Sequence, residues 1–363
     1  MRTAILLPPG CLFSEAQPNS METVVRTMAG VDQGGETRIF CCQGANDCQA
    51  PGVDALPAGR IRMPTLIERL RAFRPDVIEH HQQVKQALAV LQGLPETPHL
   101  LYRHNALRLP RHPIDRWRYR ARYERLDGLV FVSVAERDTF VRTFPDLHDR
   151  AFAVPNPIDA DAWLASPQDR QPVIAFAGRA MPEKGVDVLC AALPCVLEAH
   201  PDWRAVLMLN DWDDHARWAA RHVAPLAGYG DRVEVLKSAP LGEVRRRMQT
   251  AAIALTPSVW DEPFGLTAIE AHAAGAALIS SGRGGLREAS GPHALYVDAV
   301  TPKTLAAAME RLISSPDERL ALARSAQAYV LETHTPERRA AELKAVRQIV
   351  IDRRRARQTT GIA

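Results

Sequence analysis

Several things this sequence does not contain narrow what it can be. No apolar run in its 363 residues approaches the about 20 needed to cross a bilayer. The opening Met1-Arg2-Thr3-Ala4-Ile5-Leu6-Leu7 is too short for the apolar region of a secretory signal, and no small-residue cleavage site follows it. It reads as a first core strand, so a cytoplasmic protein is expected. A formal net charge of +3 is close to neutral at this size and names no partner. Six cysteines, at 11, 41, 42, 48, 190 and 195, include no Cys-x2-Cys pair facing a second at zinc-site spacing. They are expected to be reduced thiols in or near the core, and no metal is expected. No Gly-x-Gly-x-x-Gly follows the first strand of either half, which argues against a dinucleotide oxidoreductase. There is no solenoid-period repeat and no low-complexity tract.

What is present is an ordinary soluble composition, 46% apolar and 24% charged, at a length that suits two α/β domains. Short apolar runs alternate with helix-period segments, the pattern of parallel sheets built from βαβ units. In the first half the expected strands are 3–7, 38–42, 77–79, 100–103, 129–133 and 152–154. In the second they are 173–177, 205–209, 233–236, 253–256 and 277–280. A proline-rich, aperiodic stretch from Pro155-Asn156-Pro157 through Pro167 to Pro172 marks a seam. The expected division is therefore a domain over 1–157, a linker over 158–172 and a second domain over 173–335. Thr335-Pro336 opens a last helix over about 336–357. Two doubly wound sheets facing a central cleft would bind ligands in the loops after their strands.

The strongest motif follows strand 253–256 and reads Pro257-Ser258-Val259-Trp260-Asp261-Glu262-Pro263-Phe264-Gly265-Leu266-Thr267-Ala268-Ile269-Glu270. Pro263 is expected to open a helix with Gly265 in its first turn, so that free backbone N–H groups form an anion site beside a residue without a side chain. Glu262 just outside that helix and Glu270 roughly two turns along it would share one side. Carboxylates accept hydrogen bonds from sugar hydroxyls, so the stretch fits a sugar, a diphosphate and a ribose in a row. A second motif, Gly178-Arg179-Ala180-Met181-Pro182-Glu183-Lys184-Gly185, brackets a strand-to-helix turn with two cations suited to a diphosphate. A third, Gly282-Arg283-Gly284-Gly285-Leu286-Arg287-Glu288, follows strand 277–280. Each alone is consistent with a plain turn; together, after successive strands of one domain, they make a ligand site.

These residues resemble the retaining glycosyltransferases of family 4, which have the GT-B fold, and the resemblance extends over nearly the whole chain. It implies that Arg179 and Lys184 bind the donor diphosphate, that Glu262 faces the transferred sugar and that Glu270 faces the ribose. Gly178, Phe264, Gly265, Leu266 and Thr267 complete the implied donor-binding set. It also implies that the last helix crosses back to the first domain, and that a phosphate oxygen of the leaving group assists the incoming hydroxyl. Two positions depart from the family. The loop after the first strand has only Gly10 where a glycine pair is common, leaving Asn19 or Ser20 as phosphate or acceptor contacts, with Ser20 able to cap the next helix. The seam reads Asn156-Pro157 where Asn-Gly is commoner.

On the acceptor side, Tyr102-Arg103-His104-Asn105 ends a strand, and the resemblance places His104 near the reacting sugar. His80 and His81 follow strand 77–79 and either line the acceptor cleft or cap the turn. Eight arginines between 103 and 125, interleaved with Trp117, Tyr119 and Tyr123, form either a solvated helix face or a surface that docks on anionic lipid. No nucleic-acid module accompanies them, so nucleic acid is not an expected partner. The acidic runs Asp211-Trp212-Asp213-Asp214 and Asp159-Ala160-Asp161 are expected to be surface loops without metal.

The expected activity is transfer of a hexosyl group, with retention, from a nucleoside-diphosphate sugar to a glycan or lipid-linked glycan. UDP-sugars are favoured over GDP-mannose, and the expected setting is polysaccharide or lipopolysaccharide assembly at the inner membrane face. No cofactor is required. Competing readings are a sugar-nucleotide epimerase or phosphorylase of the same shape, or a non-catalytic relative that binds glycan or lipid.

Overall fold

The computed structural model describes residues 1–14, 19–31, 35–44 and 52–359. Cys48, one of the six cysteines, lies outside them. Two compact units divide the chain: Met1–Pro157 with Pro336–Ala363, and Ile158–Thr335.

The first unit holds a seven-stranded sheet: β1 (Arg2–Leu6), β2 (Glu36–Cys42), β3 (Val53–Leu56), β4 (Val77–His81), β5 (His99–Arg103), β6 (Gly128–Phe131) and β7 (Ala151–Ala153). Its order is β3-β2-β1-β4-β5-β6-β7, and every pairing is parallel. Side chains alternate across the sheet. Ile5 joins Val25 and Ile39 on one face, while Ala4 and Leu6 join Phe40, Leu66, Leu70 and Ile78 on the other. The second unit repeats the plan with β8 (Gln171–Arg179), β9 (Arg204–Asn210), β10 (Val233–Lys237), β11 (Ala251–Thr256), β12 (Ala277–Ser280) and β13 (Leu295–Tyr296), in the order β10-β9-β8-β11-β12-β13. Every residue of β11 and β12 is buried, as a central parallel strand covered on both faces requires. In each sheet the strand order reverses once, between β1 and β4 and between β8 and β11. Ligands of such sheets bind outside the strand ends at that reversal.

Two strands had no sequence signal. β3 is a short edge strand, and β13 has two half-buried residues, so neither shows a buried-strand run. The stretch 158–172, expected as linker, packs within the second unit instead. It contains the short helix Ala160–Trp163, with Trp163 buried under the Arg245 guanidinium, and β8 already begins at Gln171. Asp211–Asp214 are not a loop either: Trp212 starts the helix Trp212–Val223, with the exposed aspartates in its first turn. No group of His, Cys, Asp and Glu that could hold a metal occurs among the described residues.

The helix Pro336–Thr359 belongs to the first unit and buries Leu343, Val346, Val350 and Ile351 along one stripe. Arg347 lies in that stripe, with 4% of its side chain exposed, because its Nε reaches Glu79 Oε2 of β4 at 2.8 Å. Farther along, Arg354 and Arg357 approach Asp127 at 3.5 and 3.7 Å. Removing one member of a buried ion pair strands the other charge at a cost of about 3–5 kcal/mol. Arg347→Met is therefore expected to lower the unfolding free energy measured in urea by an amount in that range, and the midpoint with it. An unchanged midpoint would show that the pair does not anchor this helix.

Candidate active site

In the second unit the three motifs meet at the reversal between β8 and β11. β8 ends at Arg179, whose side chain is exposed, and a single 3-10 turn, Pro182–Lys184, leads to Gly185. Gly185 has φ 70°, and a Cβ there would lie 2.1 Å from the Pro257 carbonyl oxygen. No other residue type lets the two loops come this close. Val259 N–H, donating to the Glu183 carbonyl at 2.9 Å, ties them a second time. The loop after β12 is bound in the same way. Gly284 bridges to Glu262, Gly285 N–H donates to the Glu262 carbonyl at 2.7 Å, and a Cβ on Gly284 would sit 2.3 Å from that oxygen.

Inside this frame Lys184 Nζ meets Glu262 Oε1 at 2.6 Å and lies 5.7 Å from the centre of the Trp260 ring. Ser258 Oγ donates to the same oxygen at 2.5 Å, which leaves Oε2 without a partner among the described residues. The predicted phosphate cation and the predicted sugar carboxylate are thus held in one contact. The following helix starts at Leu266, three residues later than expected, with Gly265 at φ 124° before it and no side chain capping it. Its first N–H groups, at Leu266 and Thr267, have no partner within the helix. The helix Val186–Ala199 also starts uncapped after Gly185. Two uncapped helix starts, each following one of the loops that carry Lys184 and Glu262, present N–H groups of the kind that can receive an anion.

The later helix start changes the geometry of the two glutamates. Glu262 precedes the helix and is placed by its bridge to Gly284, while Glu270 lies little more than one turn into it. Helical spacing does not relate them. Glu270 is half-buried, and the surrounding protein pushes its carboxyl up to about 7, with only the Arg245 charge opposing. Phe264 is fully buried, its ring set edge-on to His334 at 5.5 Å. Its side chain holds the loop and cannot touch a ligand. Gly178 continues β8 beside the Phe176 ring.

In the first unit the ends of β4 and β5 carry a chain of four side chains. Arg347 donates to Glu79, Glu79 Oε1 meets His81 Nε2 at 2.8 Å, and His81 Nδ1 meets His104 Nε2 at 2.8 Å. Burial works against the Glu79 charge, but Arg347 and His81 hold its carboxyl down at about 2. Burial, the largest cause, sets His104 well below the usual histidine range. The Tyr102 ring stacks on His104 with centroids 4.5 Å apart. Gln82, at φ 62°, turns back so that its Oε1 accepts from the backbone N–H of His104 at 3.0 Å and of Asn105 at 3.2 Å. Sequence reasoning missed Glu79, Gln82 and Arg347; a carboxylate next to Val77-Ile78 inside an expected strand was the available signal.

The remaining candidates part company. His80 points to the opposite face of the strand, fully buried, with Nε2 against His99 Nδ1 at 2.9 Å, so it lines nothing open. His81 is equally buried and lies beneath His104. Asn19, and not Ser20, caps the helix Ser20–Ala29: Oδ1 accepts from Glu22 N–H at 3.0 Å and Glu22 reaches back. That hydrogen bond occupies the side chain expected to face a ligand, whereas Ser20 is exposed. Gly10, at φ 94°, has open space around it and donates its N–H to Cys42 Sγ at 3.0 Å.

Two family models cover most of the chain. The one described as "Glycosyl transferases group 1" matches residues 161–329, and "Glycosyltransferase Family 4" matches residues 21–162. The chain belongs to this family. Alpha-maltose-1-phosphate synthase of Mycolicibacterium smegmatis is 31% identical over 57% of this chain and 59% of its own. Glycogen synthase of Mycobacterium tuberculosis is 28% identical over 71% of this chain and 64% of its own. The chain thus matches less than two thirds of the length of these relatives. Among solved structures, Anabaena HepE in complex with UDP superposes with a TM-score of 0.76 at 16% identity, covering 95% of this chain and 99% of that one. Sucrose-phosphate synthase from Thermosynechococcus elongatus superposes at 0.79 and 18%, covering 97% and 100%. These neighbours and the two parallel-sheet units give the GT-B fold.

Gly284→Ala tests the loop frame of this glycosyltransferase-family site. A positive φ and a Cβ against backbone should cost about 1–3 kcal/mol. A thermal midpoint lowered by several degrees is expected, and an unchanged one would refute the backbone interlock.

Proposed function

We propose that this chain is a retaining transferase that moves a hexosyl group from a nucleoside-diphosphate sugar to a hydroxyl of a glycan or glycolipid. One observation carries the reading: an ammonium and a carboxylate held together between two uncapped helix starts, with a second carboxylate one turn farther on. Lys184, Arg179 and the Leu266 and Thr267 N–H groups receive the diphosphate and stabilise it as it leaves. Glu262 Oε2 orients the sugar and Glu270 takes the ribose hydroxyls; His104 is read as a contact to a carbohydrate hydroxyl. UDP is the favoured carrier, supported by neighbours crystallised with UDP and with UDP-glucose. Polysaccharide or lipopolysaccharide assembly is the proposed setting.

Calorimetric binding of UDP, GDP, ADP and their sugar conjugates tests the donor site. One nucleotide should bind selectively, and Arg179→Ala should weaken it. Only the ionised Glu270 accepts from two hydroxyls. With its pKa at about 7, its ionised fraction, and with it the affinity, should rise about tenfold from pH 6 to pH 8. Glu270→Gln should remove that increment and leave the slope contributed by phosphate ionisation. No binding by any nucleotide would favour a non-catalytic relative.

A second proposal concerns the helix Pro113–Tyr123. Tyr123 is buried, while Ile114 and Trp117 on the other side are 64% and 66% exposed. Exposed Arg118 and Arg122 flank them on the helix, exposed Arg108, Arg111, Arg116 and Arg125 lie in the same segment, and among the described residues Arg120 pairs with Glu124 and Asp146. Apolar side chains flanked by arginine suit a lipid surface with anionic headgroups. No helix among the described residues is long and apolar enough to cross one. Binding to phosphatidylglycerol vesicles that weakens with salt and is lost in the Ile114→Ser/Trp117→Ser double variant is expected. Equal binding by that variant would reject the surface.

A further inference from the structure

With His81 neutral, the chain Arg347–Glu79–His81–His104 fixes where protons lie, because each link then leaves its neighbour one choice. Glu79 is ionised and only accepts, so His81 Nε2 carries a hydrogen and donates to it. A neutral His81 then has a bare Nδ1, and the 2.8 Å contact requires His104 Nε2 to carry the hydrogen. In a neutral His104 the remaining nitrogen, Nδ1, is a lone pair. It has no hydrogen-bond partner among the described residues, and His104 keeps part of its surface open. Tyr102 stacking and the Gln82 latch hold the ring in that orientation. The neighbouring pair obeys the same logic. His99 Nε2 donates to the Leu94 carbonyl at 3.0 Å, so His80 Nε2 donates to His99, and His80 Nδ1 is left buried as a bare acceptor.

We propose that Glu79, His81 and Arg347 are positioning residues that lock His104 as the Nε2–H tautomer, so that its Nδ1 accepts a hydrogen bond from a carbohydrate hydroxyl. This rests on the reading of His104 as a sugar contact. The lock selects chemistry. A bare lone pair welcomes an O–H and repels the oxygens of phosphate or carboxylate, so it favours the neutral sugar over a second anion. None of the three positioning residues needs to touch the substrate.

The isostere Glu79→Gln separates this role from packing. Arg347 offers only donors, so the introduced amide must turn its oxygen to Arg347 and its NH2 group to His81. His81 Nε2 then accepts, its Nδ1–H donates to His104, and the His104 hydrogen moves to Nδ1. The test is 15N–1H correlation of histidine-labelled full-length protein, with the His104 signals assigned from His104→Gln. Wild type should show His104 protonated at Nε2 and bare at Nδ1, and Glu79→Gln should show the reverse. Hydrogen on Nδ1 in wild type, or no reversal in a folded variant, would overturn the lock. If Glu79→Gln does not fold, the wild-type tautomer alone decides.

The sugar contact is read separately, by measuring affinity for deoxyfluoro versions of the nucleotide sugar chosen in the binding screen. Fluorine cannot donate, so at one ring position wild type should lose about fivefold, the worth of one neutral hydrogen bond, and His104→Ala should not. Equal losses in both proteins would remove His104 from the sugar while leaving the tautomer result standing.

Discussion

Backbone touching backbone is the constraint on which the second unit's site depends. Lys184 and Glu262 belong to different loops, 78 residues apart in sequence, yet meet at 2.6 Å. They do so because the Gly185 and Gly284 positions bring main chain against main chain. Side-chain contacts alone would let these loops drift by the length of a rotamer. Here the loops have fixed spacing, and the charges inherit it. The spacing of these groups is therefore set before any ligand arrives.

The first unit solves a different problem. A carboxylate at the middle of a parallel sheet has no water to solvate it, so Glu79 is ionised only because Arg347 and His81 face it from two sides. Those same partners aim His104. Stability and site geometry thus share one arrangement, with Glu79 at its centre.

Much of this was legible from the sequence. Alternating strand and helix signals gave two parallel-sheet units, and the family fold followed from motifs in the second. Loop composition also pointed to Arg179, Lys184, Glu262 and Glu270 as neighbours in the chain's logic, although not to the direct Lys184–Glu262 contact. The rest depended on long-range contacts. Asn19 looked like a ligand group because a capping box reads the same as a polar loop until Glu22 is seen to close it. Phe264 sits inside the strongest motif, yet only packing reveals that its ring faces His334. β3 and β13 escaped because edge strands bury too little to show a pattern. Arg347 looked like one more charge on a polar helix, and nothing local marks it as the partner of a residue 268 positions earlier.

That separation has a consequence for how the protein is made. Glu79 leaves the ribosome early, and its counter-ion follows only after the whole second unit has been synthesised. At roughly 5–20 residues per second the delay is on the order of tens of seconds. During that interval Glu79 lacks one of its two partners and the first sheet cannot reach its final stability. The second unit, contiguous from Ile158 to Thr335, is free to fold during that interval. The earlier half of the chain is therefore completed only after the later half has been made.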